Sequence, residues 1–167
     1  MAVMRWTEVP SPIDPLGVAV DDTGICSIHF GGAPIGAGIA FSPAPEGLLA
    51  DVVERLRRYF AGEPVDFDLP LSVHRGTDFE RAVWKALYAV PYGEMRTYGQ
   101  IAADVGEPDA ARAVGTACNH NPLPIVVPCH RVVGAGGKLV GFGGGLWRKK
   151  LLLELEARVR IEQEFAF

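Results

Sequence analysis

The chain has 167 residues, 49% apolar and 22% charged, with 20 glycines, 13 prolines and a formal net charge of −4. Such a length holds one domain or two small ones, the apolar share excludes a disordered chain, and no apolar run approaches the roughly 18 residues of a membrane span. Residues 1–10 lack the apolar core of a signal peptide, pointing to a cytoplasmic protein; three cysteines argue against a disulfide framework, and an acidic chain, taken whole, argues against nucleic acid.

In chain order, residues 17–20 and 25–30 are short, partly β-branched runs separated by Asp21-Asp22-Thr23-Gly24, the pattern of a hairpin. Residues 46–60 carry apolar side chains at 48, 49, 52, 53, 56 and 60, with Glu54, Arg55, Arg57 and Arg58 off that stripe, which predicts a helix. Ala61-Gly62-Glu63-Pro64 ends it, and residues 64–74 read as a connecting segment. Thr77-Asp78-Phe79-Glu80 is a capping-box pattern opening a helix with Phe79, Val83, Trp84, Leu87 and Val90 on its apolar side, stopped by Pro91-Tyr92-Gly93. A second box, Thr97-Tyr98-Gly99-Gln100, opens a short helix to Val105 with Gly106 as its C-cap. Pro108 then suits the first turn of a third helix through Ala110, Ala113 and Val114 to Cys118. Two short helices joined by a Gly-containing turn have the form of a helix-turn-helix.

Charge is segregated along this order. Residues 1–74 carry four basic and ten acidic side chains, a net of −6, and residues 75–167 carry twelve and ten, a net of +2. No Asp or Glu occurs between Asp109 and Glu154, a stretch holding Arg112, Arg131, Lys138, Arg148, Lys149 and Lys150. Such a window is either a polyanion footprint or chance clustering in a Gly-rich region.

Within that window, the apolar run Ile125-Val126-Val127 leads into Pro128-Cys129-His130-Arg131. Cationic neighbours favour the thiolate, the nucleophilic form of cysteine, so Cys129 is set apart from Cys26, in a strand, and Cys118, at a helix end, which read as packing residues. The run Pro128-Cys129-His130-Arg131-Val132-Val133 resembles the active-site signature of the O6-alkylguanine-DNA alkyltransferases. Pro91-Tyr92-Gly93-Glu94, Thr97-Tyr98, Ala111-Arg112-Ala113-Val114-Gly115, Asn121-Pro122 and the glycines before Leu146 follow the family's order and spacing. Similarity is strong over residues 76–156 and fainter over 8–70, where Ser11-Pro12 and Tyr59-Phe60-Ala61-Gly62-Glu63 carry it.

The resemblance implies an α+β fold, with a small RNase H-like α/β lobe over residues 1–70. A mainly helical lobe with a winged helix-turn-helix-like motif follows over 71–167. It implies a suicide methyltransferase that repairs DNA by moving the alkyl group of O6-alkylguanine, and of O4-alkylthymine, irreversibly onto Cys129. His130 would activate Cys129 through a water, Glu156 would orient the imidazole, and Asn121 would join the same network. The Tyr98 hydroxyl would relieve negative charge on the leaving guanine, and the Gly143 N–H would approach its O6. The base pocket would include Cys118, Pro124, Val132, Phe142 and Gly143. The base would be flipped out of the duplex, with Arg112 filling the stack, Tyr98 crowding the phosphate, and Ala110 and Ala113 allowing close approach in the minor groove. Lys138, Arg148 and Lys149 would add phosphate contacts.

The implied protein is a cytoplasmic monomer acting on double-stranded DNA, with no cofactor and no membrane association. Phe142 stands where many relatives have tyrosine, removing one hydroxyl from the pocket. Some relatives hold a structural zinc in the N-terminal lobe; Cys26 and His29, with His74 as a distant third, are the only ligands on offer, and residues three apart on a strand face opposite sides, so no metal is expected. Residues 158–167 extend past the resemblance and receive no role. Cys129 itself separates the chain from the alkyltransferase-like proteins, in which tryptophan replaces the cysteine. Two rivals are a DNA-binding regulator without chemistry and a multiple-turnover thiol hydrolase built on Cys129 and His130. Neither accounts for Tyr98, Arg112, Asn121 and Cys129 together.

Overall fold

The computed structural model describes residues 4–33 and 38–165. Contacts divide the chain into two units, Met1–His74 and Arg75–Phe167. In the first, strands β1 (Met4–Val9), β2 (Leu16–Val20), β3 (Ile25–Phe30) and β4 (Ile39–Phe41) form a sheet in the order β3-β2-β1-β4. The pairs β1–β2 and β2–β3 are antiparallel, and β1–β4 is parallel. The hairpin turn is stapled by Asp21, whose Oδ1 accepts from the backbone N–H of Thr23 and of Gly24, as Asp does where its side chain replaces a backbone turn bond.

Helix α1 (Gly47–Phe60) follows the apolar stripe in the sequence, burying Leu49, Val52, Val53, Leu56 and Tyr59. Full burial of each such side chain stabilises by roughly 1.5–3 kcal/mol. Segment 64–74 has no helix and stays with this unit as far as His74, four residues beyond the expected boundary. The reason is its bonding: Pro70 O accepts from Ile25 N, Ser72 N donates to Ile25 O, and Ser72 Oγ donates to Asp21 Oδ2 at 2.7 Å. His74 joins Ser72 rather than Cys26 or His29, its Nε2 lying 2.7 Å from Ser72 Oγ.

The second unit starts with helix α2 (Asp78–Tyr88), whose capping box is complete: Thr77 Oγ1 accepts from Glu80 N and Glu80 Oε1 accepts from Thr77 N. The residue pair β5 (Arg96–Thr97) leads into α3 (Tyr98–Asp104), opened by an equally complete box between Thr97 and Gln100. Helix α4 (Ala111–Asn119) begins later than the position of Pro108 suggests. Ala110 N donates to Glu107 O at 2.9 Å, closing a reverse turn with Pro108 at its second position. The fixed φ of proline suits that position as well as a first helical turn.

Helices α3 and α4 pack together as the helix-turn-helix pair. A single 3-10 turn, Cys129–Arg131, then enters β6 (Val132–Val133), which pairs in parallel with β5. A Gly-rich loop over 134–145 follows, and α5 (Leu146–Glu164) ends the unit. The segment 158–167, unassigned from sequence, is largely the end of α5: Arg160 Nη1 donates to Gly93 O at 3.0 Å, while residues 166–167 lie outside those described. Among the described residues no helix is long and apolar enough to cross a membrane.

A Cβ on Gly24 would sit 2.5 Å from Pro70 O, against rigid backbone, whereas one on Gly32 would meet nothing within 4 Å. Gly24→Ala is therefore expected to lower unfolding free energy in urea by about 1–3 kcal/mol, and Gly32→Ala to stay within about 0.5 kcal/mol of wild type.

Candidate active site

The site is built around one buried carboxylate. Helix α5 buries Lys149, Leu152, Leu155, Glu156 and Val159 along one face. This is a helical stripe in which two positions carry charge. Glu156 is 1% exposed, and its oxygens accept four bonds. His130 Nε2 approaches Oε2 at 2.5 Å, Arg131 reaches Oε1 through Nε at 2.8 Å and Oε2 through Nη2 at 3.1 Å, and Gly93 N donates to Oε1 at 3.0 Å. Arg131 also donates through Nη1 to Val90 O at 2.8 Å, so the fork binds the end of α2, the 3-10 turn and α5 together.

These contacts set protonation. Although burial opposes its charge, the His130 and Arg131 interactions hold the Glu156 carboxyl far below the usual carboxylate range. Burial pulls His130 below its ordinary value against the pull of Glu156. A carboxylate can only accept, so Nε2 carries the imidazole proton and Nδ1 is left with its lone pair. That Nδ1 is buried and meets no protein partner among the described residues.

Cys129, the first residue of the 3-10 turn, is 4% exposed. Burial pushes its thiol up, while hydrogen bonding from Asn121 and the positive charge of Lys149 pull it down. Arg131 is thus not the activating cation that its place in the sequence suggests, because its guanidinium is committed to Glu156 and Val90.

Asn121 braces the chain leading to Cys129. Its Nδ2 donates to Val127 O at 2.8 Å and its Oδ1 accepts from Leu123 N at 3.0 Å. Between these anchors Ile125 is held at φ +75°, a left-handed conformation that costs a β-branched residue about 1–3 kcal/mol. The two bonds and the burial of Ile125 at 1% exposure fix that conformation and so the position of the following Pro128 and Cys129.

A cavity of about 320 Å³ lies between α4 and the Gly-rich loop, lined by Tyr98, Ala111, Arg112, Gly115, Asn119, Val140 and Gly141. The structure brings Tyr98 and Arg112 to this opening, while Cys118, Pro124, Val132, Phe142 and Gly143 are not among its lining. Cys118 is mostly buried, its thiol pushed up to about 12 by burial and by Cys129. Pro124 and Val132 are buried, Val132 opposite Arg96 in the small sheet. Phe142 is half-buried, and a Cβ on Gly143 would stand 3.5 Å from Asn119 O. Arg112 and Ala113 are exposed on the first turn of α4, and Ala110, half-buried, is its N-cap.

The six basic residues of the acid-free window divide. Arg112, Lys138 and Lys150 are exposed, Arg148 is half-buried and stacked 4.7 Å over the Trp147 ring, and Arg131 and Lys149 are buried. Lys149 was expected at a phosphate. It is instead fully buried, donating to Tyr98 Oη, and its spacing of seven residues from Glu156 is the sequence signal that places both on one helix face.

The residue pattern and geometry agree with what comparison with known proteins finds. Residues 4–73 match the ribonuclease-like domain of 6-O-methylguanine DNA methyltransferase, and residues 78–158 match that family's DNA binding domain. A methylated-DNA–protein-cysteine methyltransferase of Mycobacterium tuberculosis is 46% identical over 154 residues, covering 92% of this chain and 93% of its own. One of Methanosarcina acetivorans is 46% identical over 155 residues, covering 92% and 98%. The crystal structure of Mycobacterium tuberculosis OGT in complex with DNA superposes with a TM-score of 0.85 at 46% identity, covering 93% of this chain and 94% of that one.

Two outcomes follow from the buried carboxylate. Glu156→Gln leaves Arg131 buried with half its pairing gone and is expected to cost about 3–5 kcal/mol in urea unfolding. The Glu156 pKa is lower folded than unfolded, so its stabilisation is complete above the ordinary carboxylate value and is lost as pH falls below it. His130, also lowered, adds loss in the same direction below its ordinary value. Wild-type stability should therefore decline as pH falls below the ordinary histidine value and decline further below the ordinary carboxylate value, and Glu156→Gln should lack the second decline.

Proposed function

The chain belongs to the 6-O-methylguanine DNA methyltransferase family, and we propose that it repairs alkylated double-stranded DNA by one irreversible transfer to Cys129. The observation that carries this reading is the Cys129–His130–Glu156–Arg131 assembly, in which a buried thiol and a buried imidazole are consecutive residues and Glu156 fixes the imidazole proton on Nε2, leaving Nδ1 without a protein partner among the described residues. The thiol proton moves to His130 Nδ1, a water bridging the two as in the family. The thiolate attacks the saturated carbon on guanine O6: the S–C bond forms, the C–O bond breaks, and its electron pair leaves with the guanine. The Tyr98 O–H answers that charge by hydrogen bonding, the guanine takes a proton from solvent, and the imidazolium returns one. A thioether has no S–S bond to exchange, so each molecule acts once.

The target base is stacked inside the duplex and has to be extruded, at a cost of a few kcal/mol. Arg112, exposed at the mouth of the cavity, fills the vacated stack, and the small Ala110 and Ala113 let α4 approach the minor groove. O4-alkylthymine presents the same electrophilic carbon and is a second substrate. The protein acts as a monomer in the cytoplasm, over a lesion-bearing duplex, with no cofactor.

Incubation with a duplex containing O6-methylguanine is expected to add one methyl group to the tryptic peptide carrying Cys129, with one repaired base per protein. Cys129→Ser should bind the duplex and leave it unrepaired. Repeated turnover on an ester or amide would support the hydrolase reading, and an unmodified peptide beside an unrepaired duplex would refute the assignment. Arg112→Ala should slow reaction with duplex about tenfold or more relative to free O6-benzylguanine, since only the duplex demands flipping; equal slowing of both removes Arg112 from that role.

A further inference from the structure

A second cavity, of about 340 Å³, opens where helix α2 begins and α4 ends. Its floor is the buried Trp84 indole, tied through Nε1 to Ala117 O at 2.8 Å. A Cβ on Gly76 would lie 2.6 Å from that ring, so only a glycine leaves the floor in place. Around it stand Arg75, Asn119, Glu80 and His120. Asn119 also lines the base cavity, which makes the two cavities neighbours.

Glu80 and His120 form a pair with one proton fixed. Glu80 Oε1 accepts from Thr77 N, and Oε2 lies 2.6 Å from His120 Nδ1. These two contacts hold the Glu80 carboxyl below its ordinary value. A carboxylate can only accept, so Nδ1 carries the hydrogen and Nε2 is left without a protein partner among the described residues. The imidazole is 61% exposed and the carboxylate 16%. Among the described residues no carboxylate pairs with Arg75. The charged groups lining the cleft are therefore Arg75, Glu80 and His120; Asp78, Arg81 and Lys85 of α2 and Arg112 of α4 do not line it. The lining sums to zero while the imidazole is neutral and gains one positive charge when Nε2 takes a proton.

We propose that this cleft is an anion subsite for a phosphate of the DNA backbone, switched on by protonation of His120. This rests on the methyltransferase reading and deepens it. His120 is the C-cap of α4, eight residues and about 12 Å along the axis from Arg112. With Arg112 in the base stack, that end of the helix stands over the backbone a few phosphates away, at roughly 3.4 Å per nucleotide. A phosphate there meets the Nε2–H of the imidazolium, the Arg75 guanidinium and the Asn119 amide, two of them charged donors. The Glu80 charge is offset by the same imidazolium, whose Nδ1–H it accepts. Anion binding and protonation are linked, so the duplex itself favours the charged form of His120.

The test uses an undamaged duplex, which carries nothing to transfer, and reads Kd by fluorescence anisotropy from pH 6 to 8.5 at fixed ionic strength. Wild type is compared with His120→Ala, His120→Gln, His120→Lys and Arg75→Gln. His120→Gln keeps a neutral donor for Glu80 and covers the case in which His120→Ala does not fold. Wild type should bind about five- to tenfold more tightly at pH 6 than at pH 8.5 in about 0.1 M salt, and its salt slope should steepen by about 0.9, the share of one phosphate. The other histidines serve as the internal control, since His29 and His74 lie in the first unit and His130 is buried. His120→Ala and His120→Gln should match wild type at pH 8.5 and lose most of the gain at pH 6. His120→Lys should bind tightly at both, and Arg75→Gln should lower the slope by about 0.9 throughout.

An equal pH dependence in wild type and His120→Gln, or a salt slope that does not change with pH, overturns the inference. Inorganic phosphate, titrated while the His120 ring is followed by NMR, separates the two sources of the anion. A phosphate-dependent shift beside duplex binding that His120→Gln leaves untouched makes the cleft a free-phosphate site and overturns its assignment to DNA. A Cys129 peptide left unmethylated by an O6-methylguanine duplex, beside pH-dependent binding of the undamaged one, marks failure of the transfer reading alone.

Discussion

Three segments of the second unit are anchored to the Glu156 carboxylate. A carboxylate this deeply buried is tolerable only if its lone pairs are filled and its charge is opposed. Four donors do this: the imidazole of His130, two nitrogens of Arg131 and the N–H of Gly93. Those donors come from the Cys129–Arg131 turn and from the turn that ends α2, while the carboxylate comes from α5. Satisfying one charge therefore determines where three chain segments meet. The same bonds select the His130 tautomer, so the constraint that assembles the unit also leaves Nδ1 with its lone pair.

A second tension runs through Cys129. Burial protects a thiol and shields it from competing reactions, but it also disfavours the thiolate that reacts. The site answers with hydrogen bonding from Asn121 and a cation in Lys149, and it holds the loop before Cys129 in place at the cost of a strained Ile125. Asn121 serves both ends of this arrangement, since its two backbone bonds straddle Ile125 while its side chain also faces the sulfur. Electrostatics and backbone geometry are in this way controlled by one amide.

The acid-free window shows how a charge count can be right and its first interpretation incomplete. Of its six cations, Arg112, Lys138 and Lys150 are exposed to solvent. Arg131 and Lys149 instead point inward, one to neutralise Glu156 and one to sit near the thiols. Among the described residues no carboxylate pairs with Lys149, whose ammonium donates to the neutral oxygens of Tyr98, Val140 and Gly141.

Local pattern alone determined much of this protein. Both capping boxes, the hairpin turn at Asp21–Gly24, the stripe of α1 and the cysteine set among proline, histidine and arginine are readable because their causes lie within a few residues. The strands β1 and β4 were not legible, since a strand of three to six residues is defined by the partner it pairs with. Pro108 could open a helix or sit in a turn, because the same φ serves both. Tertiary structure alone decided what the charges meet: spacing puts Lys149 on the same helix face as Glu156, but nothing near Arg131 or Lys149 in the chain identifies the partners of either. Their roles are set by Glu156, Tyr98 and loop carbonyls far away in sequence, since the energy of a buried charge depends on what surrounds it in space.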